Sequence, residues 1–449
     1  MHYRVIVLAV VAVVGMQSAA GASGLLYRRN NQRWANVVSQ GDAVVAGAFT
    51  GRTYSSFGTT ARPAAANISG CATARIAAFS AKVSGAAPNT GLFIYDQING
   101  TINDAVIQGA PTPITGFWDS FSGTNPSATI DPTSCTLHLL FRGHATGVSS
   151  AMDSGIFDAT FGPLPALTPI NVVALVQEGV TLAPAPFPPG ALFADFPAGL
   201  SVPSLFTSGS LGFAFRGKVT GAGVAGTDDT GIFISDGTLT TRAREGDGTC
   251  PPVWTGSGSQ YDEFPSNLQL GIGFTAGTFG VLYRAKSQGN LPGSDTALEM
   301  GLATSPCGTT TKAAVEAQAT PAGGIYADLS PTTPLSFAAN TTPKAAFLAT
   351  ITGAPGILRA LFFTDLTTPA YIARQGMADT ALGSGKVTLP TDTNPAINDS
   401  GQVVFKASVA GYSSGLFFYS NAVTPAQLLT FGGRAAGIDA AADVVARFP

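Results

Sequence analysis

The sequence predicts an all-β protein of closed repeat architecture, a seven-bladed β-propeller, and three observations lead there. Short alternating runs of Val, Phe, Thr, Ser and Gly fill the chain, the pattern of many strands joined by tight turns. One strand-turn-strand unit recurs about seven times along the 449 residues. The chain opens with the second half of a unit and closes with a first half, so its two ends complete one unit between them. Joined in a ring, those halves leave no open sheet edge, whereas a linear solenoid would leave two.

From the N-terminus, residues 1–22 have the form of a cleaved secretory signal. Arg4 supplies the positive start, Val5 to Val14 the apolar run, and Ala20-Gly21-Ala22 the small residues of a cleavage site. The run is too short to span a bilayer, which takes ~20 apolar residues. Residues 23–449 then form a single repeat domain, with no transmembrane segment expected in the mature chain and a secreted, periplasmic or cell-surface location. Hydrophobic residues make up 45% of the chain, enough for a sizeable core, and charged residues only 11%, against roughly 25% in an average soluble domain. A net charge of −3 sets aside a nucleic-acid partner, which calls for a basic excess.

The unit is clearest at Ile397-Asn-Asp-Ser-Gly-Gln-Val-Val-Phe-Lys-Ala-Ser-Val-Ala-Gly411, followed after a turn by Gly415-Leu-Phe-Phe-Tyr419. Its aromatic anchor recurs at Phe79, Phe141, Phe215, Tyr283, Phe347 and Phe405, at intervals of 58 to 74 residues. A small residue stands two places on: Ala81, Gly143, Gly217, Ala285, Ala349 and Ala407. Second halves begin at Gly24, Gly91, Gly155, Gly231, Ala297, Ala360 and Gly415, the most degenerate being Ala297-Leu-Glu-Met300. An apolar strand ending in a Gly turn comes next, as in Val38-Ser-Gln-Gly-Asp42 and Ala243-Arg-Glu-Gly-Asp247. At the C-terminus Ile438-Asp439 and Asp443-Val-Val-Ala-Arg447 align with Ile397-Asn398 and Gln402 to Lys406. The last interval is short, which leaves six blades plus a hairpin as the alternative count.

The stretch from Asn398 to Tyr419 resembles the repeat of bacterial exported tandem-repeat proteins, Asn-x-x-Gly-x-Val-x-Phe-x-Ala followed by Gly-Leu/Ile-Phe. Those proteins carry variable C-terminal surface anchors and are largely uncharacterised in function. The resemblance implies a surface or secreted repeat protein and brings no catalytic residues with it.

Four cysteines in an exported chain predict two disulfides. Cys71 and Cys135 hold nearly the same place in consecutive units, as do Cys250 and Cys307, so the economical pairing is Cys71–Cys135 and Cys250–Cys307. Each would close a loop stabilising the fold by ~4 kcal/mol in the chain-entropy model.

Candidate chemistry is sparse. Gly411-Tyr-Ser-Ser-Gly415 matches a nucleophile pattern, but a strand follows where an elbow needs a helix, and His138 and His144 are the histidines left after signal removal. The site reads as a turn. The carboxylate clusters Asp228-Asp229, Glu245 with Asp247, and Asp262-Glu263 suit calcium chemically yet fit no calcium-loop pattern; no other cofactor is expected. A basic constellation is more pointed. One and three places after the anchor stand Arg142 and His144, Arg216 and Lys218, Arg284 and Lys286, with Lys82 and Lys406 in flanking units. In a strand these positions share the face opposite the aromatic. Their arc either holds an anionic ligand such as an acidic glycan, or pairs with acids of the neighbouring blade. The sequence as a whole points to a non-enzymatic scaffold binding a glycan or an extracellular protein. The alternative is a carbohydrate-active hydrolase with carboxylates drawn from separate blades.

Overall fold

Every regular element of the computed structural model is a β-strand; it describes residues 24–430 apart from short internal stretches, the longest being 303–310 and 377–385. Strands β1 (Gly24–Arg28) and β2 (Trp34–Ser39) form an antiparallel hairpin. Six five-stranded antiparallel sheets follow. The first holds β3 (Tyr54–Phe57), β4 (Ala64–Asn67), β5 (Arg75–Val83), β6 (Thr90–Asp96) and β7 (Thr101–Ile107). The second holds β8 (Phe117–Trp118), β9 (Ser127–Ile130), β10 (Leu137–Thr146), β11 (Ser154–Phe161) and β12 (Pro169–Gln177). The third holds β13 (Leu192–Asp195), β14 (Ser204–Thr207), β15 (Ser210–Thr220), β16 (Thr230–Ser235) and β17 (Leu239–Arg244). The fourth holds β18 (Gln260–Glu263), β19 (Gly271–Thr275), β20 (Thr278–Gln288), β21 (Thr296–Leu302) and β22 (Thr311–Val315). The fifth holds β23 (Ile325–Asp328), β24 (Leu335–Ala338), β25 (Lys344–Thr352), β26 (Arg359–Thr364) and β27 (Ala370–Arg374). The sixth holds β28 (Val387–Thr388), β29 (Ala396–Ile397), β30 (Val403–Val409), β31 (Ser414–Ser420) and β32 (Val423–Thr430).

All six sheets share one topology. A long anchor strand (β5, β10, β15, β20, β25, β30) pairs on one edge with the next strand, which is backed by an outer one. Its other edge is covered by two short strands, one at each end, so each sheet is a four-stranded blade whose first strand is broken in two. The fragments β4, β9, β14, β19, β24 and β29 stand side by side and line the axis. Strand β6 is buried on both faces, as are β16 and nearly all of β11, which explains why the second halves read as continuous apolar runs.

The core lies between sheets. Ile76, Leu92 and Ile94 of the first pack with Phe141 and Phe157 of the second. Leu140 and Ile156 of the second meet Phe193, Phe215 and Phe233 of the third. The series continues from third to fourth, fourth to fifth, and fifth to sixth. Face-to-face packing of successive sheets around a line of inner strands is the architecture of a β-propeller.

Each anchor lies opposite a second-half residue, and in five sheets that residue is phenylalanine. Phe79–Phe93, Phe141–Phe157, Phe215–Phe233, Phe347–Phe362 and Phe405–Phe417 stack with centroids 5.2–5.7 Å apart and planes 18–26° from parallel. A third ring from the first strand closes on the pair: Tyr54, Trp118, Phe193 and Tyr326 sit 4.7–5.4 Å from the second-half ring. Such pairs add about 1 kcal/mol each beyond area burial. The small residues of the repeat make room for them. Gly143 pairs with Gly155 and Gly217 with Gly231, and a Cβ on Gly143 would collide with the Trp118 ring.

Neighbouring sheets are joined by one recurring hydrogen bond. The amides of Gly41, Gly109, Gly179, Gly246, Ala317 and Gly376 donate to the carbonyls of Tyr54, Trp118, Phe193, Tyr261, Tyr326 and Val387 in the following sheet, at 2.8–2.9 Å. The residue that turns the chain there has positive φ at every seam, +63° for Ala317 and +67° to +93° for the glycines. Because Gly41 makes the same bond, the hairpin β1–β2 stands to the first sheet as each sheet stands to the next. The first half that the repeat expects to complete this hairpin as a seventh unit would fall in residues 431–449, which lie outside the described residues, as does the signal segment.

The predicted Cys71–Cys135 bridge is present, with Cα atoms 5.3 Å apart, and ties the first sheet to the second. Cys250 and Cys307 lie outside the described residues. Among the described residues no helix is long and apolar enough to cross a membrane.

Candidate functional site

The basic constellation falls at one end of the propeller, at three successive seams. Its residues occupy the C-terminal halves of β10, β15 and β20, the end at which β8, β13 and β18 pair. There the crossover from each outer strand to the next sheet packs on the turn between the anchor strand and its partner. A Cβ on Gly179, in one crossover, would collide with the Ala151 carbonyl in the adjacent turn.

Around each cation the fold gathers carboxylates. His144 lies 3.0 Å from Asp153 and 3.4 Å from Asp119. Lys218 lies 3.0 Å from Asp229, and Lys286 stands 3.7 Å from Asp262 and 3.8 Å from Asp295. Burial lowers the affinity of Arg142 for its proton, against the opposing pull of Asp195, Glu178 and Asp153. Arg216 is lowered in the same way against Glu245, Asp195, Glu263 and Asp229. Arg284, the most buried of the three, is pushed down to about 10 against Asp328 and Glu316. The six residues thus stand at three successive seams, where the structure surrounds them with more carboxylates than cations. At the corresponding places of the flanking sheets, Lys82 is exposed and Lys406 half-buried.

Three carboxylates in this arc come from one place in the unit. Glu178, Glu245 and Glu316 directly precede the positive-φ residue of their turns, and each amide donates at 3.0 Å to the start of the second-half strand, at Ser154, Thr230 and Thr296. Burial, with the charges of Asp153 and Asp195, raises Glu178 to about 7. Glu316 is raised by burial and by the charge of Asp295, and accepts from the amides of Thr296 and Leu329, both at 3.2 Å. Glu245 is raised by burial, but accepts from the Phe264 amide at 3.0 Å. Glutamine holds this place at Gln40, Gln108 and Gln375, a regularity that could have marked the position from sequence.

The other candidates resolve separately. His138 bonds to Asp158 at 2.8 Å within the second sheet. Of the carboxylates considered for calcium, Asp228 pairs with Arg244 at 2.7 Å, while Asp229 and Asp262 face Lys218 and Lys286. Among the described residues no group of three or more His, Cys, Asp or Glu is placed to hold a metal ion. The central serine of the Gly411–Gly415 motif lies outside the described residues, and strand β31 follows it.

A second constellation escaped the sequence reading. In the fourth sheet the residue opposite the anchor is Glu299, fully buried, and its Oε2 accepts from Tyr261 Oη at 2.6 Å and Tyr283 Oη at 3.2 Å. Arg242 of the third sheet, also fully buried, lies across Gly301 of the same seam. Burial and the Glu299 charge raise the Tyr283 phenol far above its usual range, with Arg242 opposing.

Fold and seams together define a β-propeller with an ionic arc on its crossover face. The chain belongs to a family of unknown function (DUF7453), whose profile matches residues 9–432. No curated protein matches it. Among solved structures it is similar to a Trypanosoma rangeli sialidase, at 13% identity and a TM-score of 0.40 over 90% of this chain, and spans 56% of that chain. It is similar also to the Aleuria aurantia lectin, at 9% identity and a TM-score of 0.40 over 86% of this chain and 98% of the lectin. Another structure of that lectin, described as a six-bladed β-propeller, matches at 10% identity and a TM-score of 0.37, over 86% of this chain and 99% of the lectin. Likenesses this distant say nothing about ligand or reaction.

Proposed function

We propose that the chain is a non-enzymatic scaffold, secreted, periplasmic or held at the cell surface, that binds a glycan or an extracellular protein on its crossover face. One observation carries the reading. Phe117, Met152, Val180, Leu182, Ile325 and Leu358 are exposed large apolar residues, and all lie in the crossovers, in the adjoining turns, or at the first residue of the strand that follows. Scaffold rigidity with loop-borne side chains suits binding, and Lys218, Lys286 and His144 add partly exposed charge just beneath. The disulfide and the resemblance to exported repeat proteins support the location.

The test is a screen of the purified chain on neutral and acidic glycans and on extracellular proteins. Retention lost in Leu182→Ser with Ile325→Ser, without loss of stability, supports the reading; silence on every surface overturns it. If Arg142, Arg216 and Arg284 with His144, Lys218 and Lys286 contact an acidic ligand, retention also falls with salt.

A second reading, a carbohydrate-active hydrolase, is favoured by Glu178 alone, a carboxyl held near 7 beside Asp153 and Asp195 as a general acid would be. Against it, Glu245 and Glu316 hold the same place in their turns and are likewise raised by burial, which suits a repeated structural part better than one reaction centre. Hydrolysis of chromogenic glycosides by the native chain and not by Glu178→Gln would favour the enzyme.

A further inference from the structure

A strand at the edge of a sheet recruits other strands unless charge, proline or a covering loop guards it. Five of the six sheets have a guarded outer strand. In β7 Asp104 accepts from the Ala48 amide of a crossover at 2.6 Å, and in β17 Arg244 donates to the Pro186 carbonyl of another at 2.8 Å. Arg374 of β27 donates likewise to the Ala322 carbonyl at 3.2 Å. Strand β22 carries Lys312, and β32 carries Pro425. Strand β12 is the exception. At nine residues it is the longest of the six, it bears no charge, and its proline is its first residue. Strand β2 of the hairpin is also uncharged but has six residues.

The backbone of β12 is open to pairing, since it ends the strand order of the second sheet. The Asn171 carbonyl faces β11, where Thr160 Oγ1 donates to it at 3.3 Å. The Val172 amide faces the other way and donates to the Asn171 side chain at 2.8 Å. Pairing with β11 runs unshifted from Asn171 to Ala174 between two bulges. Ala174 therefore points its N–H and C=O outward along with Val172. Ile170, Asn171 and Val173 are exposed around this run. We propose that β12 is a self-association edge, pairing antiparallel with β12 of a second copy about a twofold axis at Val173.

Val172 and Ala174 of one copy then exchange N–H···O=C bonds with Ala174 and Val172 of the other, displacing the Asn171 side chain. Val173 faces its own counterpart, and two five-stranded sheets become one. Charge selects this occupant. About a twofold axis the side chains near the centre meet themselves, so a charge there would oppose its like. The run from Asn171 to Ala174 brings none, and it equally offers no charge by which to select a foreign strand. The acid opposite Val173 on β11 is Asp158, which is buried and engaged by His138 at 2.8 Å. The bulges bend the strand and confine the contact to this short run, so the dimer is a weak one.

Sedimentation velocity of the purified chain over a concentration series reaching about 100 μM, as a small interface requires, tests this. The wild type should populate a species of twice the chain mass, growing with concentration. Ala174→Pro removes an outward N–H and no bond to β11, and should abolish that species. Val173→Cys gives a second readout that keeps the fold intact. Across the axis its Cα atoms stand about 4.5 Å apart, within disulfide reach, so mild oxidation should trap a covalent dimer. Asn171→Cys, displaced from the axis, should trap none, nor should the wild type. Leu182→Ser with Ile325→Ser, which alters the crossover face alone, should leave the dimer unchanged. A wild type monomeric throughout, a dimer that persists in Ala174→Pro, equal trapping at residues 171 and 173, or loss of the dimer in the crossover-face variant overturns the proposal.

Discussion

Glu299 stands where five other sheets carry phenylalanine, so Glu299→Phe returns the fourth sheet to the pattern of its neighbours. The structure nonetheless makes it destabilising. The introduced ring would stack on Tyr283 and gain about 1 kcal/mol. The substitution would also remove the acceptor of two phenols, bonded at 2.6 and 3.2 Å in a seam without exposed surface. Hydrogen bonds to a charged group contribute about 1.5–3 kcal/mol each, so two cost about 3–6 kcal/mol. The buried Arg242 beside them loses a nearby negative charge as well. The expected net is a loss of about 3 kcal/mol. Urea unfolding followed by tryptophan fluorescence reads it as a lowered midpoint at unchanged slope. Adding Tyr261→Phe and Tyr283→Phe removes the stranded hydroxyls and should recover about 1 kcal/mol or more. A Glu299→Phe chain as stable as the wild type would refute the assignment of Glu299 as an obligatory acceptor.

Ala317 is the sole non-glycine at the positive-φ place of the six crossovers, so Ala317→Gly should stabilise the chain by about 1 kcal/mol, read as a raised urea midpoint. Replacing Cys71 and Cys135 together with serine opens a loop of sequence separation 64 and should cost about 4 kcal/mol, read as a lowered urea midpoint against the wild type under non-reducing conditions. Gly143→Ala places a methyl on the Trp118 ring and 2.9 Å from Phe157, and should cost about 1–3 kcal/mol. Thermal unfolding measures it, and an unchanged transition would mean the ring can yield.

The repeat was legible because its main marks lie on one uninterrupted hairpin. Phe141, Gly143 and Gly155 keep fixed offsets, since β10 and β11 pair residue by residue without a bulge. Cys71 and Cys135 could be matched for the same reason: each sits just ahead of an anchor strand. The first-strand rings were not legible. Trp118 sits on a strand of two residues and Phe193 on one of four, reached through crossovers of differing length, so no offset marks them. The cations at Arg142, Arg216 and Arg284 were visible as a pattern, but their carboxylates were not, because Asp195 and Asp328 arrive from the following sheet. Glu299 looked like degeneracy in the repeat. Its function is apparent only once Tyr261 and Arg242, distant in sequence, stand beside it.

The seam bond has a polarity with a kinetic consequence. In all six cases the donor amide belongs to the earlier sheet and the acceptor carbonyl to the later one. A chain emerging N-terminus first can therefore lay down each sheet against one already made, waiting for no distant partner. Successive steps then join sequence neighbours, the kind of contact that folds fast.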